Sequence, residues 1–226
     1  MKMRQSVTLH PTPHKTNNKL AACALAFVLS LSGCASNKGQ PITQFDFGPA
    51  LAPAAQAAGA SAGGINSFAN FGALVVTDVT GSSALDSERM FYRLSYADAL
   101  QARTYANSRW TANPLQMMTQ RLKTRMGQAG AKVLSESDAS LGVPILRVDV
   151  DDFVHDFSSA TQSQGVVAVR ASLFQGHTLV DQKRFVRTTP ATTPDAAGGA
   201  RALAASTDAI AADITGWLGT LNLQRR

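Results

Sequence analysis

Apolar and polar side chains alternate in the second half of the chain with the two-residue period of a β-strand. From Leu146 to Asp151 every second residue is apolar and the residues between are charged, which predicts a strand with one buried and one wet face. The segments 165–174 (GVVAVRASLF) and 178–187 (TLVDQKRFVR) flank Gln175-Gly176-His177. A glycine between two such runs predicts a hairpin.

Shorter strand patterns come earlier in the chain. Residues 73–79 (ALVVTDV) are rich in β-branched side chains, and Phe45-Asp46-Phe47 is a candidate first strand. Residues 97–99 form a plausible turn between the segment 90–96 and a strand at 103–106. The earlier segment places four large side chains on one face: Met90, Tyr92, Leu94 and Tyr96.

Two amphipathic helices complete the pattern. Asn113 is a favourable N-cap, and Pro114 suits the first helical position. Apolar residues then recur every three or four positions until Gly127–Gly130, at Leu115, Met118, Leu122 and Met126. After a loop at 188–199, a second stripe runs through Leu203, Ile210, Ile214, Trp217, Leu218 and Leu221. The element order predicts an α+β class: two layers, a largely antiparallel sheet, and two main helices packed on one face.

The N-terminal segment has the pattern of a lipoprotein signal peptide. A basic start without acidic residues precedes an apolar run of 12 residues, Leu20–Leu31. As a helix this run would be about 18 Å long, too short for a hydrocarbon core of about 30 Å. Leu31-Ser32-Gly33-Cys34 follows and resembles the bacterial lipobox, in which the cysteine thiol receives a diacylglyceryl group and the freed amine a further acyl chain. Cys34 is therefore the predicted lipidation site.

This signal divides the chain into three parts. Residues 1–33 are the predicted signal peptide, 34–72 a lipidated N-terminus with an Ala/Gly-rich tether, and 73–226 the folded domain. Within the tether, Ala50–Gly64 has 8 alanines in 15 residues and no charge, which is typical of a flexible insert. Ala35-Ser36-Asn37 lacks the aspartate that retains such lipoproteins in the inner membrane. The predicted location is the outer membrane, facing the periplasm.

Removal of the signal peptide would lower the net charge of the chain. The full chain has 21 Lys and Arg against 15 Asp and Glu, a formal charge of +6. Four of the basic residues precede residue 34 and no acidic residue does, so 17 basic residues face 15 acidic ones afterwards. A nearly neutral chain gives no reason to expect nucleic acid as a partner.

The search for catalytic and metal-binding groups finds little. His155 and His177 are the histidines beyond the signal peptide, and neither has a second histidine at helical or strand spacing. The nearest approach to a metal site is a set of carboxylates around His155, interpreted as a solvated strand edge that leads into a turn: Asp149, Asp151, Asp152 and Asp156. We expect no metal and no cofactor besides the covalent lipid on Cys34.

The remaining charged and aromatic groups have ordinary structural explanations. No phosphate-binding glycine motif is present, and four arginines are assigned to solvated faces: Arg121, Arg125, Arg184 and Arg187. Four aromatic residues are assigned to the core rather than to a ligand site: Tyr92, Tyr96, Tyr105 and Trp110. The chain is not expected to be an enzyme.

Residues 91–122, FYRLSYADALQARTYANSRWTANPLQMMTQRL, carry a resemblance to a known family. A strand with Tyr92-Arg93, a strand with Tyr105, and Trp110-x-x-x-Pro114 opening a helix resemble the ABC-type transport auxiliary lipoproteins, the PqiC-like proteins. The resemblance implies a non-catalytic outer-membrane component of an ABC/MCE-type lipid transport system. Its partners would be a periplasmic MCE-domain protein and an inner-membrane ABC transporter, and members of the family can form homo-oligomeric rings.

Two other classes of protein remain open at this point. One is an outer-membrane assembly or cell-wall-synthase-activating lipoprotein, which is also a non-catalytic α+β module. The other is a lipid-anchored hydrolase that uses His155 or His177.

Overall fold

The computed structural model describes residues 41–50, 72–138 and 141–221. Within these ranges it contains nine strands and two α-helices, whose bounds in chain order are β1 Thr43–Phe45, β2 Leu74–Val76, β3 Thr80–Gly81, β4 Arg89–Leu94, β5 Asp98–Trp110, α1 Pro114–Gln128, β6 Val133–Leu134, β7 Ile145–Phe157, β8 Ser163–Gln175, β9 Thr178–Pro190 and α2 Ala196–Thr220. Most of the predicted Ala-rich insert lies outside the described residues.

The long strand β7 is the centre of the sheet. Along one edge it pairs antiparallel with β8, which pairs antiparallel with β9. Along its other edge lie three shorter strands in parallel orientation: β2 at its start, β3 in its middle and β4 at its end. The sheet continues from β4 to antiparallel β5 and then to parallel β1, and from β2 to parallel β6. The predicted α+β class is confirmed, with the antiparallel hairpins joined by short parallel pairings.

A register shift between Val150 and Asp152 changes which residues of β7 face the helices. Before it, the even-numbered side chains of the predicted strand are buried. After it, the odd-numbered side chains are buried, and Phe153 is the first of them. One extra residue in a strand reverses the alternation of its side chains, which is how His155 comes to lie in the interior.

Both helices begin at a side-chain N-cap: Asn113, as predicted, and Asp195, which lies in the segment predicted to be a loop. Asn113 Oδ1 accepts a hydrogen bond from the Gln116 N–H at 2.8 Å, and Asp195 Oδ1 accepts one from the Gly198 N–H at 2.7 Å. The helix α2 packs across β8 and β9, with α1 beside it. The two helical stripes meet the sheet in one core, whose largest fully buried side chains include Trp110, Met118, Leu122, Met126, Leu203, Ile210, Ile214 and Leu218.

Element bounds differ from the sequence prediction at several places. The first strand ends at Phe45, and Phe47 instead packs edge-on against Trp110 at 5.7 Å between ring centroids. Tyr96 was assigned to a buried strand face, but it lies in the turn after β4 and is 52% exposed. The predicted loop 188–199 is shorter, because β9 continues to Pro190 and α2 begins at Ala196.

Candidate functional site

The predicted lipid-attachment site lies outside the described residues. Leu31, Ser32, Gly33 and Cys34 all precede residue 41, so lipidation of Cys34 stays a prediction. Among the described residues, no helix is both long and apolar enough to span a bilayer.

Trp110 and Pro114 lie where β5 passes into α1. Trp110 is 1% exposed, and its ring contacts Phe47 and Phe153 with centroids 5.7 and 5.8 Å apart. Its backbone N–H donates to the Glu88 carbonyl at 2.8 Å. These contacts fix the end of the β4–β5 hairpin against the core, and the ring offers no exposed surface to a ligand.

Tyr92 and Tyr105, both partly buried, form a cluster with the fully buried His155. The Tyr105 hydroxyl lies 2.8 Å from His155 Nδ1, and the rings of Tyr92 and Tyr105 are 4.7 Å apart. His155 is fully buried between Phe157, at 4.5 Å between centroids, and the backbone of Gly199 in α2. A methyl group on Gly199 would fall 2.3 Å from His155 Nδ1, so the glycine is what allows the helix to cover the ring.

The electrostatics of this cluster favour neutral forms. Burial lowers the pKa of His155 to about 4, against smaller opposing effects of Asp195 and Asp156. Burial, followed by the nearby Tyr92 and Asp195, raises the pKa of Tyr105 well above its usual range. His155 Nε2 has no hydrogen-bond partner within the described part of the chain. A neutral ring sealed from solvent packs the helix against the sheet and cannot reach a substrate.

The carboxylates near His155 are engaged in ion pairs and hydrogen bonds. Asp149 pairs with Arg170 at 3.4 Å, Asp151 with Arg184 at 3.0 Å, and Asp152 with Arg93 at 3.3 Å, which also places the family-motif residue Arg93. Asp156 accepts from Ser95 and from Gln164. They lie along the central strand β7, not at a strand edge leading into a turn as expected. No group of three or more potential metal ligands exists in the ranges that the structure covers.

The assignment of Arg121 to a solvated face is wrong. Its side chain is 4% exposed, and its Nε lies 3.5 Å from Asp208 Oδ1 on α2. The guanidinium also donates to the carbonyls of Phe47 and Gly48. Arg121 thereby joins α1, α2 and the segment that follows β1. The Asp208 carboxylate also accepts two hydrogen bonds from the Arg125 guanidinium, at 2.8 and 2.6 Å.

Each arginine responds differently to this arrangement. Burial lowers the pKa of Arg121, partly offset by Asp208, whereas the hydrogen bond to Asp208 raises the pKa of Arg125. Sequence periodicity could not identify the pairing, because Arg121 and Asp208 are 87 residues apart in the chain. By contrast Arg184 and Arg187 have side chains 61% and 48% exposed, as predicted for solvated faces.

We expect Asp208→Asn to lower the free energy of unfolding by about 2 kcal/mol, because it strands the buried Arg121 charge; the partial exposure of Asp208 keeps the loss below that of a fully buried pair. Urea unfolding of the purified protein followed by tryptophan fluorescence measures this. Asp213→Asn is the matched control, since it breaks a pair on the same helix with the half-exposed Arg187, and should have the smaller effect. Equal losses from the two variants would contradict the structural role of Arg121.

His155 and His177 cannot belong to one site. His155 lies near the end of β7, and His177 is exposed in the β8–β9 turn, beside the start of β7 at the opposite end of the sheet. Two grooves on the helical side are also separate from both. One, of about 280 Å³, includes Phe47, Met117 and Arg121; the other, of about 560 Å³, lies between β9 and α2.

The fold and the side-chain contacts define an α+β domain in which the residues of the family motif hold strands and helices of the same domain together. The particular family follows from sequence comparison. Residues 50–215 match the family described as ABC-type transport auxiliary lipoprotein component, and the chain belongs to that family. No curated protein matched the sequence.

Solved structures share the fold. Protein XCC0632 from Xanthomonas campestris is 19% identical, with a TM-score of 0.54 over 64% of this chain and 82% of its own. A second crystal structure, of an uncharacterised protein, is 15% identical, with a TM-score of 0.56 over 78% of this chain and 97% of its own. At these identities the likeness establishes the architecture alone.

Proposed function

We propose that this protein is a non-catalytic outer-membrane lipoprotein of an ABC/MCE-type intermembrane phospholipid transport system. It is anchored through N-acyl and S-diacylglycerol groups on Cys34 and docks periplasmic MCE-domain proteins to the outer membrane. The observation that carries the proposal is the family match over residues 50–215, because the family is defined as an auxiliary component of ABC-type transport.

The geometry of the domain supports a docking role over a chemical one. His155 is sealed under α2, and the nearby carboxylates are each paired or hydrogen-bonded. The two grooves described above are open to solvent, so neither encloses a lipid tail. A tethered module of this kind can act by holding a partner in place.

The anchor follows from the chemistry of the lipobox. A single acyl chain gives marginal membrane binding, whereas two or three chains hold a protein stably. Acylation of both the thiol and the amine of Cys34 would therefore keep the domain at the membrane. Cleavage of the signal peptide would remove Cys23. The mature chain would then have no second thiol with which Cys34 could form a disulfide.

The test is affinity purification of the tagged, lipidated protein from cross-linked membranes, with identification of co-purifying proteins by mass spectrometry. We expect MCE-domain proteins and an ABC ATPase to be recovered. Cys34→Ala, which cannot be lipidated or processed, is the matched control and should lose them from the outer-membrane fraction. Recovery of a cell-wall synthase or a β-barrel assembly factor instead would overturn the transport assignment and favour the alternative lipoprotein class.

A further inference from the structure

The turn between β4 and β5 exposes two large apolar side chains. We define the hairpin tip as residues 96–102. Leu100 is 96% exposed and Tyr96 52% exposed, and the three alanines of the tip are also exposed. Its one charged residue, Asp98, accepts the Leu100 backbone N–H at 2.9 Å within the turn. Isolated exposed apolar residues are ordinary. Whether this tip is a contact surface therefore has to be argued from its position relative to the rest of the chain.

The path of the chain into the domain points back toward the hairpin tip. β1 runs parallel to β5, with Thr43 opposite Ser108, and β5 begins at the tip. The direction of β1 therefore brings the chain into the sheet from the side on which the tip lies.

The reach of the predicted anchor matches this direction. Cys34 precedes Thr43 by nine residues, which can span at most about 30 Å. Leu100 precedes Ser108 by eight residues along β5, or about 26 Å. A lipid on Cys34 can therefore lie at the same level as Leu100 without the chain reversing its direction.

The other end of the sheet offers the natural comparison. The β8–β9 turn lies beside the start of β7, because Ile145 pairs with Phe174, whereas the hairpin tip lies beside its end, where Leu94 pairs with Phe157. Leu179 and Val180, next to the β8–β9 turn, are 47% and 37% exposed. For this end to face the membrane, the chain before Thr43 would have to turn back on itself.

We propose that the hairpin tip is a second membrane contact that lies on the bilayer surface beside the lipid anchor. Leu100 enters the acyl region, and Tyr96, with an apolar ring and a polar hydroxyl, lies at headgroup level. Arg103, whose guanidinium donates to Gln101 Oε1, is close enough to the tip to meet lipid phosphates. The β8–β9 turn then points away from the membrane. This inference rests on the anchor at Cys34 that the proposed function includes.

The test places one fluorophore at either end of the sheet. With Cys34 acylated and Cys23 removed, Leu100→Cys or Leu179→Cys supplies the one free thiol of the mature protein for labelling with the environment-sensitive fluorophore NBD. The full lipoprotein is reconstituted into phosphatidylethanolamine–phosphatidylglycerol vesicles. We expect NBD at position 100 to emit at shorter wavelength and to be quenched by spin-labelled lipids, and NBD at position 179 to show neither change.

Each other result overturns the inference. Quenching at position 179 instead of 100 would place the opposite end at the membrane. A blue shift at position 100 without lipid quenching would show that another protein surface, such as a second copy of the chain, covers the tip. Vesicle flotation and the mass of the Cys34 peptide test the lipid anchor separately from the tip contact. A protein that floats but is unquenched at position 100 keeps the anchor and loses the tip contact, and an unmodified Cys34 overturns both.

Discussion

Gly165→Ala is expected to lower the free energy of unfolding by about 3 kcal/mol, at the upper end of the cost of overpacking a core. Gly165 lies in β8 directly beneath α2. A methyl group there would fall 2.5 Å from the Leu203 nitrogen and 2.6 Å from the Ala202 carbonyl carbon. Both are backbone atoms of the helix, so no side chain can rotate away, and the whole helix must shift from the sheet. Ser206, which donates to the Gly165 carbonyl at 2.9 Å, would lose its bond as well.

A glycine on α2 itself, Gly216, provides the control. Gly216 has no atom near the position of an added methyl group, so Gly216→Ala should stabilise the protein by up to about 1 kcal/mol through helix propensity. Denaturant unfolding of both variants measures the difference. If Gly165→Ala were as stable as the unaltered protein, the close approach of α2 to β8 would be refuted.

Elements with local signals could be predicted from the sequence. Asn113-Pro114 contains both the N-cap and the first residue of α1, and the structure places the helix start there. Gly176, with a φ of 61°, closes the β8–β9 hairpin in a conformation that other residues adopt at a cost. In such cases the residues that decide the structure lie next to one another in the chain.

Features that depend on distant residues could not be predicted in this way. The strand β7 was expected to bury Leu146, Val148 and Val150 on one face, which is correct. The register shift that follows is set by its pairing with β8. The interior position of His155 depends on that shift and on Gly199, 44 residues later. Strict alternation cannot signal an extra residue in a strand.

The candidate site shows the same limit. Trp110 was expected to pack in the core, and it does so against Phe47 and Phe153. The residues next to Trp110 in the sequence give no indication of these two partners. Arg121 lies between residues of an apolar stripe and was assigned to solvent. Its carboxylate partner is on another helix. Charged residues are usually exposed unless paired, and pairing is a property of the fold.

Taken together, the polar groups of the domain are used to join its elements. Arg121 and Asp208 join the two helices, Arg93 and Asp152 join β4 to β7, and Trp217 Nε1 donates to Asp181 of β9 at 2.8 Å. What the domain presents to other molecules is therefore at its periphery. The hairpin tip lies at the end of the sheet beside Phe157, and the groove between β9 and α2 runs beside the middle of β9.

Stability should fall as the pH is lowered from about 6.5 to about 4, by about 3 kcal/mol from His155 alone. Burial lowers the pKa of His155 from 6.5 to about 4 in the folded protein. Between these values the unfolded chain binds a proton at this position and the folded protein does not, so acidification favours unfolding. Below pH 4 both states are protonated, and the effect of this residue is constant.

Replacing His155 isolates its contribution to the pH dependence of stability. The Tyr105 hydroxyl contacts the ring, and Asp195 and Asp156 are the nearby carboxylates that act on the pKa of His155. His155→Phe keeps an aromatic ring of similar size, removes the proton-binding nitrogen, and should flatten the difference in unfolding free energy between pH 7 and pH 4 by about 3 kcal/mol. His177→Phe, at an exposed turn, should leave the curve as it is. A curve for His155→Phe that parallels that of the unaltered protein would show that the ring is open to solvent, and that the helix α2 does not seal it.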